Sequence, residues 1–351
     1  MQAWPPALRT GSCDAMLNFE IADHPIYDGL ELQWFDDIAH GRGMLAFLTR
    51  RDSHLVDYYR RRGLRLDPAD YQIRAGTGVW AETDFAEALL EMSDDGMHAA
   101  AVFTDLDGRR IEVRVDDRDG RRRRRGGFLA PVSAAIVKPT ALLLVWLPAF
   151  DLVRTGGHKL VLRIDDIDLM VGQLPGARLH RRRLIKYASP VVTIEVLPDS
   201  EPAAEVDDQV HQPPHGALRD GVVEAVTADG CRVRLEFDPP LPDLTTLTDG
   251  APQRGRWSVS ADGTRLTGGR WFAERRADGV RAGLDVTERW RPRRLPFLLR
   301  VVTTVVPVFR KWPTTYEWRA SFGPDGRTTA HWRRTGSAGA DVYRRATGSG
   351  T

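Results

Sequence analysis

The chain has 351 residues, 42% of them hydrophobic, with 50 basic against 48 acidic side chains and a formal charge of +2. That length and composition suffice for a well-buried core, and the charge balance argues against a nucleic-acid partner, since the carboxylates would repel phosphate almost as often as the arginines attracted it. Two distant cysteines, Cys13 and Cys231, make neither a disulfide framework nor a Cys-x-x-Cys pair, and the longest apolar run, 141–150, is about half the ~20 residues a membrane helix needs. A cytoplasmic protein is expected, with a peripheral position at the inner face of the membrane as the second reading.

Residues 1–16 lack the apolar region of a secretory signal and read as a disordered lead-in. An antiparallel β domain is expected over 17–197. In it, GRG (41–43) and GTG (76–78) are too short for dinucleotide fingerprints and read as turns. GVWAETDF (78–85) would place Trp80, Glu82 and Asp84 on one face of an extended chain. A carboxylate beside an indole in a pocket has the raised pKa of a general acid. The competing reading sets Glu82 and Asp84 at the start of a helix over 83–93, capped by Thr83, with Phe85, Leu89 and Met92 three or four apart.

Further along, 99–115 reads as a hairpin. The five-arginine run 121–125 reads as a solvated hairpin arm neutralised by Asp116, Asp117 and Asp119, ahead of a phosphate-binding patch. RIDDIDL (163–169) gathers Asp165, Asp166 and Asp168 in a hairpin turn rather than a metal or acid–base cluster. ARLHRRRLIKYASP (177–190) puts His180, Arg182 and Lys186 on one strand face, and Arg181, Arg183 and Tyr187 on the other. A lysine or tyrosine there, aimed into an apolar cavity, would polarise a carbonyl; the alternative is an edge strand protected by arginines. Glu82, Asp84, His180, Lys186 and Tyr187 are the candidate catalytic residues.

Residues 198–216 are acidic, proline-rich and nearly free of large apolar side chains, which marks a linker. His211 and His215 fall inside it, where no helix would align them on a metal. Beyond it, 217–345 yields eight strands at 221–227, 231–237, 254–260, 264–274, 279–290, 315–322, 327–334 and 341–345, then a tail over 346–351. Asp-Gly pairs, ten in the chain, separate many of these alternating segments, as tight hairpins require. Cys231, Val233, Leu235 and Phe237 share one face, as do Tyr316, Trp318, Ala320 and Phe322. Eight such strands can close into a barrel around one small ligand. Most of the ten tryptophans are expected to fill the core. Trp80, Trp146, Trp271 and Trp318, with Tyr316, are the candidates to line a ligand pocket.

One stretch breaks the hairpin series: RRLPFLLRVVTTVVPVFRKWP, 293–313. Phe297, Val301, Val305 and Phe309 recur every four residues, and Pro296 suits a first helical turn, while the valines and threonines favour a strand. A helix closing a barrel mouth is the first reading, with an extended strand pair also open. The second is a membrane- or partner-facing surface, with Arg293, Arg294, Arg300, Arg310, Lys311 and Trp312 about the apolar run.

Two consecutive β units, the second of barrel size, resemble the two-domain lipocalin-like (calycin) proteins of the carotenoid hydratase and attH type. The resemblance implies an apolar pocket in one unit or at their interface, and no particular reaction. The expected fold is all-β, two antiparallel barrel or sandwich units with one or two short helices. The expected function is binding of an apolar small molecule, with cofactor-independent isomerisation, cyclisation or hydration as the associated chemistry. The alternative is a non-enzymatic protein that meets a membrane surface or another protein through 293–313. No phosphate loop, nucleophile elbow or zinc helix occurs, so no metal or cofactor is expected. The oligomeric state is not legible.

Overall fold

A computed structural model of the chain describes residues 7–335, apart from 72–74, 133, 135, 155–158, 174–180, 199–217, 245, 250, 293, 294, 296, 325 and 326. The fold is all-β, as expected, and organised in three sheets. The first sheet contains β1 (Leu8–Cys13), β2 (Ala15–Glu20), β3 (Tyr27–Asp37), β4 (Gly41–Arg50), β5 (Val56–Arg61) and β6 (Thr77–Thr83). The second contains β7 (Glu87–Ser93), β8 (Gly96–Thr104) and β9 (Arg110–Asp116). The chain then returns to the first sheet as β10 (Gly126–Ala130) and β11 (Leu142–Arg154), and to the second as β12 (Lys159–Ile164) and β13 (Ile167–Asp168). Finally β14 (Arg182–Ala188) and β15 (Val191–Val196) complete the first sheet. Its order is β1-β15-β11-β14-β2-β3-β4-β5-β6, with β10 also on β11; the second runs β13-β12-β9-β8-β7. All pairings are antiparallel except β5–β6, which 62–76 connects as a parallel pair.

The first sheet is covered on both faces. Along β4, Met44, Ala46 and Leu48 enter one core with Met97, Ala99 and Val113 of the second sheet; Leu45 and Phe47 enter the other. A strand buried on both sides reads as a continuous apolar run, which GMLAFL shows. The expected helix over 83–93 does not form: Thr83 ends β6, its Oγ1 donating to Thr104 O, and 87–93 is a strand in which Ala88, Leu90 and Met92, two apart, face the core. The spacing of Phe85, Leu89 and Met92 satisfied a helix by coincidence, and pairing of the whole of β7 with β8 outweighed it.

The third sheet is a meander of β16 (Val222–Val226), β17 (Arg232–Asp238), β18 (Gln253–Ala261), β19 (Thr264–Arg276), β20 (Gly279–Glu288), β21 (Tyr316–Phe322) and β22 (Thr328–Arg334). These match seven of the eight expected strands; 341–345 lies outside the described residues. The alternation is as read, with Val233, Leu235 and Phe237 buried while Arg232, Arg234 and Glu236 are exposed. Asp262 (φ 45°) and Gly263 (φ 72°) turn β18 into β19 with both residues left-handed, the geometry Asp-Gly favours. Asp28-Gly29, by contrast, lies inside β3 at a register shift.

The closed barrel is not found among the described residues. β16 and β22 end the sheet without pairing to each other, because its apolar face is already satisfied: Trp257, Trp271, Trp318 and Trp332 pack into one core with Leu129, Leu144, Ile194 and Val196 of the first sheet. Trp332 Nε1 donates to Val196 O (3.0 Å) and Leu197 O (3.1 Å), tying the last strand to the end of β15. The residues on either side of the expected linker therefore share a core.

Between β20 and β21 the chain forms α1 (Phe297–Val305) and α2 (Pro307–Lys311). Of the helix and strand both open for this stretch, 297–305 and 307–311 are helical, and they fall between the fifth and sixth strands of the meander, as expected. Pro307 both ends α1 and begins α2: it pushes Val306 into an extended conformation (φ −72°, ψ 122°) while its own fixed φ suits a first turn. Thr303 and Thr304 turn their hydroxyls back to Arg300 O at 3.0 and 2.7 Å, so neither is left unbonded in so short a helix. Trp290 N–H donates to Trp312 O (3.0 Å), closing the base of the insertion.

Candidate functional site

Glu82 and Asp84 do not face a pocket. They lie at the edge strand β6, where Glu82 pairs with Arg60 (2.8 Å) and Asp84 with Arg62 (3.6 Å), Asp84 being 82% exposed. The expected apolar surroundings are missing because Trp80 turns to the core, against Tyr58 and Tyr71 at 5.1 and 5.4 Å, while the carboxylates stay in water. Exposed pairs of this kind contribute little. Glu82→Gln with Asp84→Asn is expected to shift stability by less than about 0.5 kcal/mol in urea unfolding, and a loss above about 2 kcal/mol would contradict their placement at the surface.

Tyr187 and Lys186 sit on opposite faces of β14, as strand alternation requires. Lys186 Nζ, half-buried, donates to Asn18 Oδ1 and Glu20 Oε1, both at 3.3 Å. His180 lies outside the described residues. Tyr187 is fully buried, its hydroxyl 3.5 Å from both Asp117 Oδ2 and Asp151 Oδ2. Around them stand Arg123, whose Nη1 is 3.0 Å from Asp117 Oδ2 though off the hydrogen-bonding direction, and Arg182, paired with Asp151 Oδ1. The Arg125 guanidinium lies 5.8 Å from the Tyr187 ring centre.

The arginine run is thus not simply a solvated arm. Arg121, Arg122 and Arg124 are exposed, but Arg123 turns inward to meet Asp117, and both side chains are only 1% exposed. Burial holds the Asp117 carboxyl above the usual carboxylate range, against the pull of Arg123 and the Arg154 N–H. Burial, then the Asp151 and Asp117 carboxylates, push the Tyr187 phenol well above its ordinary value, so it remains a neutral hydroxyl. Buried as it is, the cluster ties β11 and β14 to the chain that leaves β9.

The aromatic candidates are also core. Trp146, Trp271, Trp318 and Tyr316 are buried in the core shared by the first and third sheets, and Trp146 lies so close over Gly127 that a Cβ there would stand 2.2 Å from its ring. Trp312, read as a surface flank, is buried too, edge-on to Tyr316 at 6.0 Å. Arg293 and Arg294 lie outside the described residues, and only the backbone of Phe297 is described.

What the structure does bring together is at α1 and α2. Leu295, Leu299 and Thr303 face inward, and Phe309 packs on Phe128 of β10 (5.4 Å), which also meets Trp290 edge-on (5.7 Å). Between the chain leaving β20 and the helices opens a cleft of about 540 Å³. Arg289, Trp290, Arg291 and Pro292 form one wall, and Thr303, Thr304, Val305, Phe309 and Arg310 the other. Its size suits a small molecule. Three arginines line it, and no carboxylate, histidine or cysteine does among the described residues. Arg289, Trp290 and Thr304 were not singled out by sequence; the available signal was the alternation of arginine with apolar residues in RWRPRR, next to a proline-broken helix.

Other chemistry is weaker. Burial pushes the Cys231 thiol up to about 12, with Asp262 adding to the effect, and burial raises Cys13 well above its ordinary value, so neither is an activated nucleophile. Asp165 and Asp166 form the expected turn, both left-handed at φ 51° and 61°. No group of three metal-ligating side chains occurs among the described residues. No family model, curated protein or solved structure matches the chain.

Proposed function

We propose that the protein binds an anionic amphiphile, a molecule with one carboxylate or phosphate head and an apolar body, in the cleft between α1, α2 and residues 289–292. The observation that carries this reading is the lining itself: Arg289, Arg291 and Arg310 beside Trp290, Val305 and Phe309. A guanidinium holds an oxyanion through charge-assisted, forked hydrogen bonds, and the indole and phenyl rings take up apolar surface. The apolar-ligand reading of the sequence is kept, but its seat moves from a barrel interior to the helical insertion. Because the described lining holds no carboxylate, histidine or cysteine, and the Thr303 and Thr304 hydroxyls are bonded to Arg300 O, binding rather than turnover is proposed, and the two-domain lipocalin-like resemblance carries no part of it.

The test is tryptophan-fluorescence or calorimetric titration with oleate and with oleyl alcohol. Oleate is expected to bind at least about tenfold more tightly, and Arg291→Glu with Arg310→Glu to remove that preference, as loss of charge-assisted bonds implies. Equal affinity for acid and alcohol, or an unchanged oleate affinity in the charge-reversed variant, would overturn the reading.

A further inference from the structure

We infer that the outer face of α1 and α2, together with Val132 and Val137 beyond β10, is a docking surface for a lipid bilayer carrying anionic headgroups. The face is apolar where a helix turned to water should be polar: Val301 is 40% exposed, Val305 66% and Val306 37%. Val132 and Val137, on the loop that leaves β10, are 55% and 64% exposed. That loop belongs to the same side of the molecule. Tyr316 Oη, just after α2, donates to Ile136 O at 2.9 Å, and Phe128, just before the loop, packs on Phe309 of α2.

Charge is segregated onto the same surface. From Arg289 to Tyr316 the chain has seven basic residues and no acidic one, although basic and acidic residues are nearly equal overall, 50 to 48. Arg291, Arg300, Arg310 and Lys311 are exposed. None of them has an ion-pair partner among the described residues, whereas arginines elsewhere on the surface, such as Arg265 with Glu288, commonly do. Unpaired cations around protruding valines complement a layer of anionic headgroups over acyl chains: the cations lie at the phosphates and the valines below them. The exposed apolar side chains here are valines among long cationic ones, without the aromatic centre of a protein interface, so a fluid surface fits them better than a rigid partner does. Val305 and Arg310 belong to both this face and the cleft. The cleft therefore opens where the bilayer would lie, and the amphiphile, if the reading above holds, is drawn from the membrane itself.

The experiment is co-sedimentation of the full chain with vesicles of phosphatidylcholine alone and with added phosphatidylglycerol, at low and high salt. Binding is expected only with the anionic lipid and is expected to fall with salt. Val301→Asp with Val306→Asp, and separately Arg300→Glu with Lys311→Glu, are each expected to weaken it at least about tenfold. These four side chains are outside the described cleft lining, so oleate titration of the folded variants should be unchanged, which separates failure of docking from failure of the cleft. Equal binding to neutral vesicles, or full binding by both variants, overturns the proposal. So does self-association that Val301→Asp abolishes in a chain that ignores vesicles, since the face would then join two copies.

Discussion

Asp117→Ala is expected to destabilise the protein by about 3–5 kcal/mol at neutral pH, read as a lower midpoint in denaturant unfolding. The carboxylate accepts from the Arg154 N–H (3.0 Å) and faces Arg123, whose Nε is already committed to Asp95 O (2.8 Å) and whose Nη2 donates to Asp117 O. Removing it leaves a guanidinium buried against Tyr187 and Asp151 with half its compensation gone. The cost arises from the uncompensated charge and not from the pair's own net worth, so Asp117→Leu combined with Arg123→Met should recover most of the loss. If Asp117→Ala costs less than about 1 kcal/mol, water reaches the cluster and the description of it as a dry lock is wrong.

Trp332→Ala should cost a similar amount, about 3–5 kcal/mol, by leaving a cavity where the third sheet meets the first. The indole is 1% exposed and is flanked by residues from both halves of the chain. Trp332→Phe keeps much of the apolar surface but leaves Val196 O and Leu197 O without their donor, and is expected to cost about 1–3 kcal/mol. Hydrogen exchange separates local from global loss. In Trp332→Ala the amides of β22 and β21 should exchange faster than those of β8 and β9, which lie in the other core. Uniform acceleration across all three sheets would contradict a role confined to this junction.

The place of the insertion was legible, while helix and strand both stood open for it. A four-residue apolar recurrence between Pro296 and Pro307 favoured a helix and the valines and threonines a strand, while the lack of an Asp-Gly turn there separated the segment from the hairpins around it. Which side of the helix faces inward was not legible. The recurrence groups Val301 and Val305 as an apolar face, yet the structure buries Leu299 and Thr303 and leaves both valines in water. An amphipathic pattern identifies the packed face only when the other face is polar; here valine occurs on both, and contact with Phe128 and Trp290 chose the orientation. For the same reason Trp80 and Glu82, correctly placed near each other on a strand, did not make a pocket: strand parity says which side chains are neighbours, and not whether water lies beside them.

By itself the sequence determined the local structure of this protein. Asp-Gly turns and period-two alternation act over fewer than ten residues, so the seven strands between 222 and 334 and the turn at Asp165-Asp166 could be read directly. The tertiary structure decided everything that depends on what covers a face. It made the ten-stranded sheet a middle layer, turned 87–93 from a helix into β7, kept the meander open by packing its tryptophans on β15, and drew Arg123 in from an exposed run to Asp117. The middle layer and the packed meander rest on contacts between segments distant in sequence, whereas β7 pairs with the adjacent β8 and Arg123 meets Asp117 six residues away; all are set by which apolar surfaces and charges can be removed from water together, and no short-range pattern encodes that choice.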